Sequence, residues 1–469
     1  MQRPSRFPME RDLFAVSSFR TFAARIRPAL GDGSQVLIAS HVTRMALRVG
    51  SSLIVTRLLA PEAYGVIGIV NSIAYILGMV SDMGLRSYVI RHENGGDEAM
   101  QTVWTVRLIR NSILFAIMFF GAGIFADLYN SPEVTLAIRV CAFPFLLDGL
   151  CSLSINLTER NRGVIRLTAI DFAKFLTMML TTIVAAYFLR TYWAIVIAML
   201  VSSVFVLIAS YTLLKGPPIR FRLDPEHVRD LWKFWRIIIP ASMITILMTQ
   251  ANTVVMARYF PIAELGKFTI ASTLAMAAGG LISEYVIRVF MPRFAAANRE
   301  NPETAKDVYY DAKRNIVLLL AFGVGGLLGG GELLVRILYN DQYLGAGLYL
   351  SLLCLRLLGQ LYGEPVQQAV VTKGFVRVAL HANMIRLCWI MLAGFAAYIL
   401  AGPLALVAAL CLAELSAVPY LLWQLKRFGL LRLKEETFIL GAAAAGAAIG
   451  FACYAGVEAL IAAGIIPNF

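Results

Sequence analysis

Apolar runs of about 20 residues recur along the whole of this 469-residue chain, and that recurrence constrains the fold more than any motif in it. A helix rises about 1.5 Å per residue, so each run is long enough to cross about 30 Å of hydrocarbon. Only 15% of the residues are charged, against roughly 25% in soluble proteins. A transmembrane barrel would show short alternating segments instead, and none occur. The expectation is an all-α polytopic membrane protein. Thirteen spans are predicted, at 36–59, 64–85, 102–128, 134–156, 167–189, 192–214, 237–259, 263–291, 315–338, 343–371, 378–400, 403–424 and 437–462.

The basic residues orient these spans. With the amino terminus in the cytoplasm, 28 of the 42 Lys and Arg fall in inside segments, and one, Arg190, falls outside. Cytoplasmic loops carry just such an excess. The net charge of +13 therefore follows a membrane surface rather than a nucleic acid, for which no folded domain is available. Residues 1–35 are polar and basic and do not read as a cleavable signal peptide. The six cysteines sit singly in apolar runs, and the four histidines show no metal-ligand spacing, so no metal or cofactor is expected. Nothing resembling a Walker loop or a G-x-S-x-G elbow is present, and any driving force must come from gradients.

The longest internal polar segment, 215–236, begins Lys-Gly-Pro-Pro and ends in the aromatic-basic run Trp232-Lys233-Phe234-Trp235-Arg236, which suits a membrane interface. It divides the chain into a cytoplasmic segment 1–35, a first lobe 36–214, this linker, a second lobe 237–424 and a tail region 425–469. The lobes repeat. At an offset of 201 residues, His41, Arg44, Arg48 and Ser51 fall on Ser242, Thr245, Thr249 and Asn252, Arg57 on Arg258, and Gly65 on Gly266. Both sets of four lie on one helical face. At one residue more, Ser81-Asp82 falls on Ser283-Glu284. Lobes with six spans each insert in the same orientation, related by an axis along the membrane normal. The expected architecture is two six-helix lobes around a central cationic cavity, with one or two extra C-terminal helices.

The arginines of the first span bear on function. An ionised group at mid-membrane costs about 2.5–3.5 kcal/mol even on insertion scales, and usually faces protein or water. His41, Arg44 and Arg48 share a face with no acid on it. They suit a visiting anion, and the guanidinium fork matches phosphate. The competing reading pairs them with acids elsewhere, such as Asp82, Glu284 or Glu364. Arg57 and Arg258, near the outer ends, either contact substrate or snorkel to the interface. Thr245, Thr249 and Asn252 are the second-lobe candidates. Asp171–Lys174 and Glu332–Arg336 read as local helical pairs. Glu364, beside Pro365, is a candidate ion-coupling site, with Asp82 and Glu284.

The elements Leu59-x-Pro61-x-x-Tyr64-Gly65, Asp82-x-Gly84-Leu85 and Ile90-Arg91 resemble the amino-terminal signature of Wzx-type polysaccharide-biosynthesis flippases, members of the multidrug/oligosaccharidyl-lipid/polysaccharide exporter superfamily. The resemblance implies a non-enzymatic secondary transporter with two lobes that alternate access around a cationic cavity. Its substrate would be undecaprenyl-pyrophosphate-linked oligosaccharide crossing the bacterial inner membrane, with polysaccharide polymerase machinery as a downstream partner. Arg44 and Arg48 would meet the pyrophosphate. Thr245 and Thr249 in the second lobe make such a cavity asymmetric. A drug/cation antiporter of the same superfamily stays open, although it would suit an acidic cavity better. A membrane polymerase or ligase also stays open, although the predicted outer loops are too short for one.

Overall fold

The structure, a computed structural model, describes residues 33–81, 85, 97–160, 163–214, 216, 220–300, 305–373, 375 and 377–463. The expected His41, Thr245 and Asp82 contacts lie outside it: the side chains of the first two and the whole of the third are not among the described parts. Apart from short connections, the described residues are helical. In order the helices are α1 (Gly33–Leu58), α2 (Pro61–Val80), α3 (Asp97–Phe120), α4 (Ala122–Leu128), α5 (Thr135–Val140), α6 (Phe143–Leu150), α7 (Ser154–Arg160), α8 (Val164–Leu189) and α9 (Trp193–Thr212). The second half holds α10 (Pro225–Tyr259), α11 (Ile262–Tyr285), α12 (Met291–Glu300), α13 (Ala305–Leu338), α14 (Ala346–Thr372), α15 (Arg377–Cys411), α16 (Ala413–Ser416), α17 (Val418–Arg427) and α18 (Leu433–Ala462).

Among the described residues nine helices are long and apolar enough to cross a membrane. The difference from thirteen has physical causes. Helix α1 carries three arginines, which lower its hydropathy. The span expected at 134–156 is broken into α5, α6 and the start of α7. The span expected at 237–259 is the latter part of α10, which also takes in the aromatic-basic run, so linker and span join without a helix break. The spans at 378–400 and 403–424 meet at Gly402, whose φ of 80° turns the chain ahead of Pro403 inside what is otherwise a continuous α15. The tail is one 30-residue helix, α18, rather than two short ones.

The break after α6 illustrates how irregular backbone survives at membrane depth, where freed polar groups need protein partners. Trp104 Nε1 and Arg107 Nη2 both donate to the Cys151 carbonyl. Tyr211 Oη donates to the Leu150 carbonyl, and the Ser152 amide donates to Ser210 Oγ at 3.0 Å. Helices α3 and α9 thus stitch the break.

In the first half, α1 packs along α8, α8 along α9, and α3 along α6. In the second, α11 and α13 pack on α14, while α10 and α14 each pack on α15. Contact between the halves runs mainly through α2, which packs on α10 and α11. Helix α18 lies along α13 at very close range. A Cβ at Gly325 or Gly329 would overlap the carbonyls of Ala443 or Ala447, and one at Gly446 or Gly450 those of Phe322 or Gly326. Lipid supplies little hydrophobic drive for helix association, so backbone approach through small residues supplies packing instead.

Candidate functional site

Arg44 and Arg48 lie one turn apart on α1. Arg44 is half-buried and Arg48 exposed. Among the described residues neither forms an ion pair with a carboxylate. Helices α1 and α10 do not pack on one another: α1 leans on α8, and α10 on α2 and α15. The packing of α2 on α10 has no comparable counterpart between α1 and α11. The two halves therefore meet asymmetrically, and the flank of α1 that faces α11 is left without that support.

At the end of the bundle holding the α1–α2 turn, expected to face outward, the halves close tightly. A Cβ on Gly65 would overlap the carbonyl of Ile262, and one on Gly266 would overlap that of Pro61. Both pairs are related by the 201-residue offset, so the contact is reciprocal. Tyr343 Oη donates to the Leu59 carbonyl at 2.7 Å, the Tyr64 and Tyr343 rings meet edge to face at 6.0 Å, and Ser52 Oγ lies 3.4 Å from Tyr339 Oη. Tyr343 is fully buried there. Tyr64 belongs to the motif read at 59–65, whereas Tyr339 and Tyr343 carried none. The sole hint was the repetition of Leu-Tyr-Asn at 128–130 and 338–340.

The described second-half candidates, Thr249 and Asn252, make contacts within their own half. Asn252 is buried and its Nδ2 lies 3.7 Å from Cys411 Sγ, so it turns toward the end of α15. Thr249 is half-buried and its hydroxyl points back at the Ile246 carbonyl. Arg57 and Arg258 are exposed near the closed end, and among the described residues neither makes an ion pair. Arg57 and Arg48 are nine residues apart, about 180° around a straight helix. Arg57 therefore stands on the opposite face of α1 from Arg48.

Glu364 of α14 accepts from Ser283 Oγ at 2.9 Å and from Gln360 Nε2 at 3.0 Å, both through Oε1. Its Oε2 is buried and has no partner among the described residues. Nearby Arg386 Nε lies 2.8 Å from Glu414 Oε2 without pointing its N–H at it, while Nη1 donates to Asn383 at 2.7 Å. Glu364 thus belongs to a polar network joining α11 and α14, close to the Arg386–Glu414 pair. Glu284 is half-buried and engaged in an interaction of its own.

Two local pairs read from spacing are not formed. Arg336 pairs with Glu458 of α18 at 2.8 Å, while Glu332 accepts from the Gly345 amide at 2.9 Å. Asp171 and Lys174 are both exposed and do not pair with each other. Spacing on one helix sets which residues can meet; a neighbouring helix offers competing partners. The pair that spacing does not reveal is Lys313–Glu436, where Nζ lies 2.8 Å from both carboxylate oxygens. Tyr310 Oη also donates to Glu436 at 3.2 Å, and Tyr362 Oη donates to the Glu436 carbonyl at 2.8 Å.

The fold and these helix-borne charges define a multi-pass helical membrane protein. A family described as "Polysaccharide biosynthesis protein" matches residues 54–347, and the chain belongs to that family. The motif at 57–91 pointed to the same one. Two curated proteins are similar. The succinoglycan biosynthesis transport protein ExoT of Rhizobium meliloti (strain 1021) is 22% identical over 313 residues, covering 64% of this chain and 61% of ExoT. The lipopolysaccharide biosynthesis protein WzxC of Escherichia coli (strain K12) is 19% identical over 341 residues, 71% of this chain and 68% of WzxC. The likeness thus spans about three-fifths of ExoT's length. Among solved structures, the lipid II flippase MurJ in an inward closed conformation superposes with a TM-score of 0.68 at 13% identity, covering 90% of this chain and 92% of MurJ. An inward-facing multidrug resistance transporter of the MATE family, in the MOP superfamily, gives 0.62 at 15% identity, with 82% and 94% covered. These likenesses are of fold.

Proposed function

We propose that the protein is a flippase that moves an undecaprenyl-pyrophosphate-linked oligosaccharide from the cytoplasmic to the periplasmic leaflet of a bacterial inner membrane, for export or O-antigen synthesis. The observation that carries this reading is the pair Arg44 and Arg48, two guanidiniums one turn apart with no carboxylate partner among the described residues. A pyrophosphate leaving water needs its hydration replaced by charge-assisted hydrogen bonds, and forked donors replace it well. The names of ExoT and WzxC support a polysaccharide precursor as cargo.

In this reading the two halves are lobes that rock about the Gly65–Gly266 contact. On that reading the arrangement with the Gly65–Gly266 contact closed would be the state sealed at the periplasmic end and loaded from the cytoplasm. The glycan head would pass beside Arg44 and Arg48, with Thr249 on the opposite lobe. The prenyl chain would trail into lipid between α1 and α11, where no packing like that of α2 on α10 exists. Outward movement of two uncompensated negative charges across about 100 mV, inside negative, contributes roughly 4–5 kcal/mol, at about 2.3 kcal/mol per charge. Protonation at Glu364, whose Oε2 lacks a partner among the described residues, would add coupling to a proton gradient. The product would then be handed to polymerase machinery outside.

The test is a flipping assay in proteoliposomes with defined prenyl-pyrophosphate glycans, with and without imposed gradients. Protein-dependent movement of the glycan head between leaflets is the expected result. Absence of movement for every prenyl-linked glycan, together with drug efflux by the same vesicles, would replace this reading with the antiporter.

A further inference from the structure

The flank of α1 that carries Ile54 and Arg57 forms a second feature. Together with α8 it encloses a groove of about 510 Å³ whose walls include Ile54, Val184, Tyr187 and Phe188, with Arg57 as its one charged residue. The groove opens sideways onto bare helix surface: Ile54 is 49% exposed, Val184 56% and Phe188 76%. Little of α8 is covered by protein along its span. The groove is therefore open to the side of the bundle and does not lie between the halves.

We propose that this groove is a binding site for an anionic phospholipid of the surrounding membrane, with one acyl chain along the apolar walls and the phosphate on Arg57. Charge and shape point the same way. Arg57 makes no ion pair among the described residues, its fork fits a phosphate, and its place in the last turn of α1 sets it near headgroup depth. The volume falls in the range of small-molecule sites, and its walls are hydrocarbon-like. A lipid held there ties α1 to α8 at the closed end, so it would stiffen the helix that carries Arg44 and Arg48. The site does not depend on the flippase reading, because its occupancy is read without transport.

The experiment is native mass spectrometry of the full chain in detergent, titrated with phosphatidylglycerol or phosphatidylcholine, with melting temperature in lipid-free detergent as the control of folding. The wild type should show one saturable phosphatidylglycerol site that binds phosphatidylcholine less well. Arg57→Ala should weaken phosphatidylglycerol about tenfold and remove the preference, and Arg57→Lys should restore part of it. Val184→Trp, at an exposed position where folding tolerates bulk, should fill the groove and weaken both lipids. Wild-type binding in Arg57→Ala and in Val184→Trp would overturn the proposal. Displacement of phosphatidylglycerol by an equimolar polyprenyl pyrophosphate would overturn it too, and assign the groove to the transported lipid.

Discussion

The Lys313 ammonium lies 2.8 Å from both carboxylate oxygens of Glu436, and neither side chain is more than 4% exposed. Lys313 also stands 5.4 Å from the centre of the Tyr309 ring and 5.7 Å from that of Tyr362. The pair fastens α18 to α13 at one end of their contact, and Arg336–Glu458 fastens it at the other. Between them run the glycines that let the two backbones touch. The tail helix is thus part of the second half's core rather than an appendage.

Removing one member of that pair leaves a buried charge uncompensated, which typically costs about 3–5 kcal/mol. Glu436→Gln or Lys313→Met alone should sharply lower the melting temperature in detergent. The double variant Lys313→Met/Glu436→Leu should recover most of the loss, because desolvation no longer opposes it. Equal melting of the single variants and the wild type would mean that the pair contributes nothing.

Gly266→Ala should prevent the closed end from forming, because the new methyl would overlap the Pro61 carbonyl. Spin labels at the exposed positions Glu62 and Asp341, in a cysteine-free background, should report a longer distance in this variant than in the parent. Gly65→Ala should do the same through Ile262. An unchanged distance distribution would show that the contact relaxes without opening.

Tyr343→Phe removes one buried hydrogen bond, that to the Leu59 carbonyl, and little volume. The net loss of such a bond is about 1 kcal/mol, or roughly a fivefold shift in a two-state population. The same spin-label pair should therefore show a modest open fraction. A distribution identical to the parent's would mean that this bond does not hold the end shut.

Arg44→Ala or Arg48→Ala should abolish polysaccharide export in cells while protein abundance stays normal. Lys at either position should rescue partly, since the charge remains and the fork is lost. Export at wild-type level in both alanine variants would remove the pyrophosphate assignment.

Glu364→Gln keeps the hydrogen-bonding shape of the side chain and abolishes its titration. Flipping by this variant in proteoliposomes should no longer respond to an imposed pH gradient, while its response to membrane potential persists. Unchanged dependence on the pH gradient would end the role of Glu364 in coupling.

Which features were legible in the chain depends on the range of each interaction. Span length is a local property, since hydrocarbon thickness and helical rise fix it, and most spans stand where the apolar runs are. One close contact was legible too: the offset that aligns Gly65 with Gly266 is the offset that relates their reciprocal contacts. Even the opposition of Arg57 to Arg48 comes from nine steps around a helix.

Partner choice was not legible. Arg336 prefers Glu458, 122 positions away, to Glu332 one turn away, and Asn252 turns to Cys411 rather than toward α1. The amino-acid order by itself determined a many-helix membrane chain and the charged face of its first helix, because each depends on neighbours within a few turns. Only tertiary packing decided which charges are neutralised, which end is closed and which surface of α1 another helix covers. A buried charge takes whichever counter-charge the adjacent helix brings within reach, and that is settled by how backbones fit together.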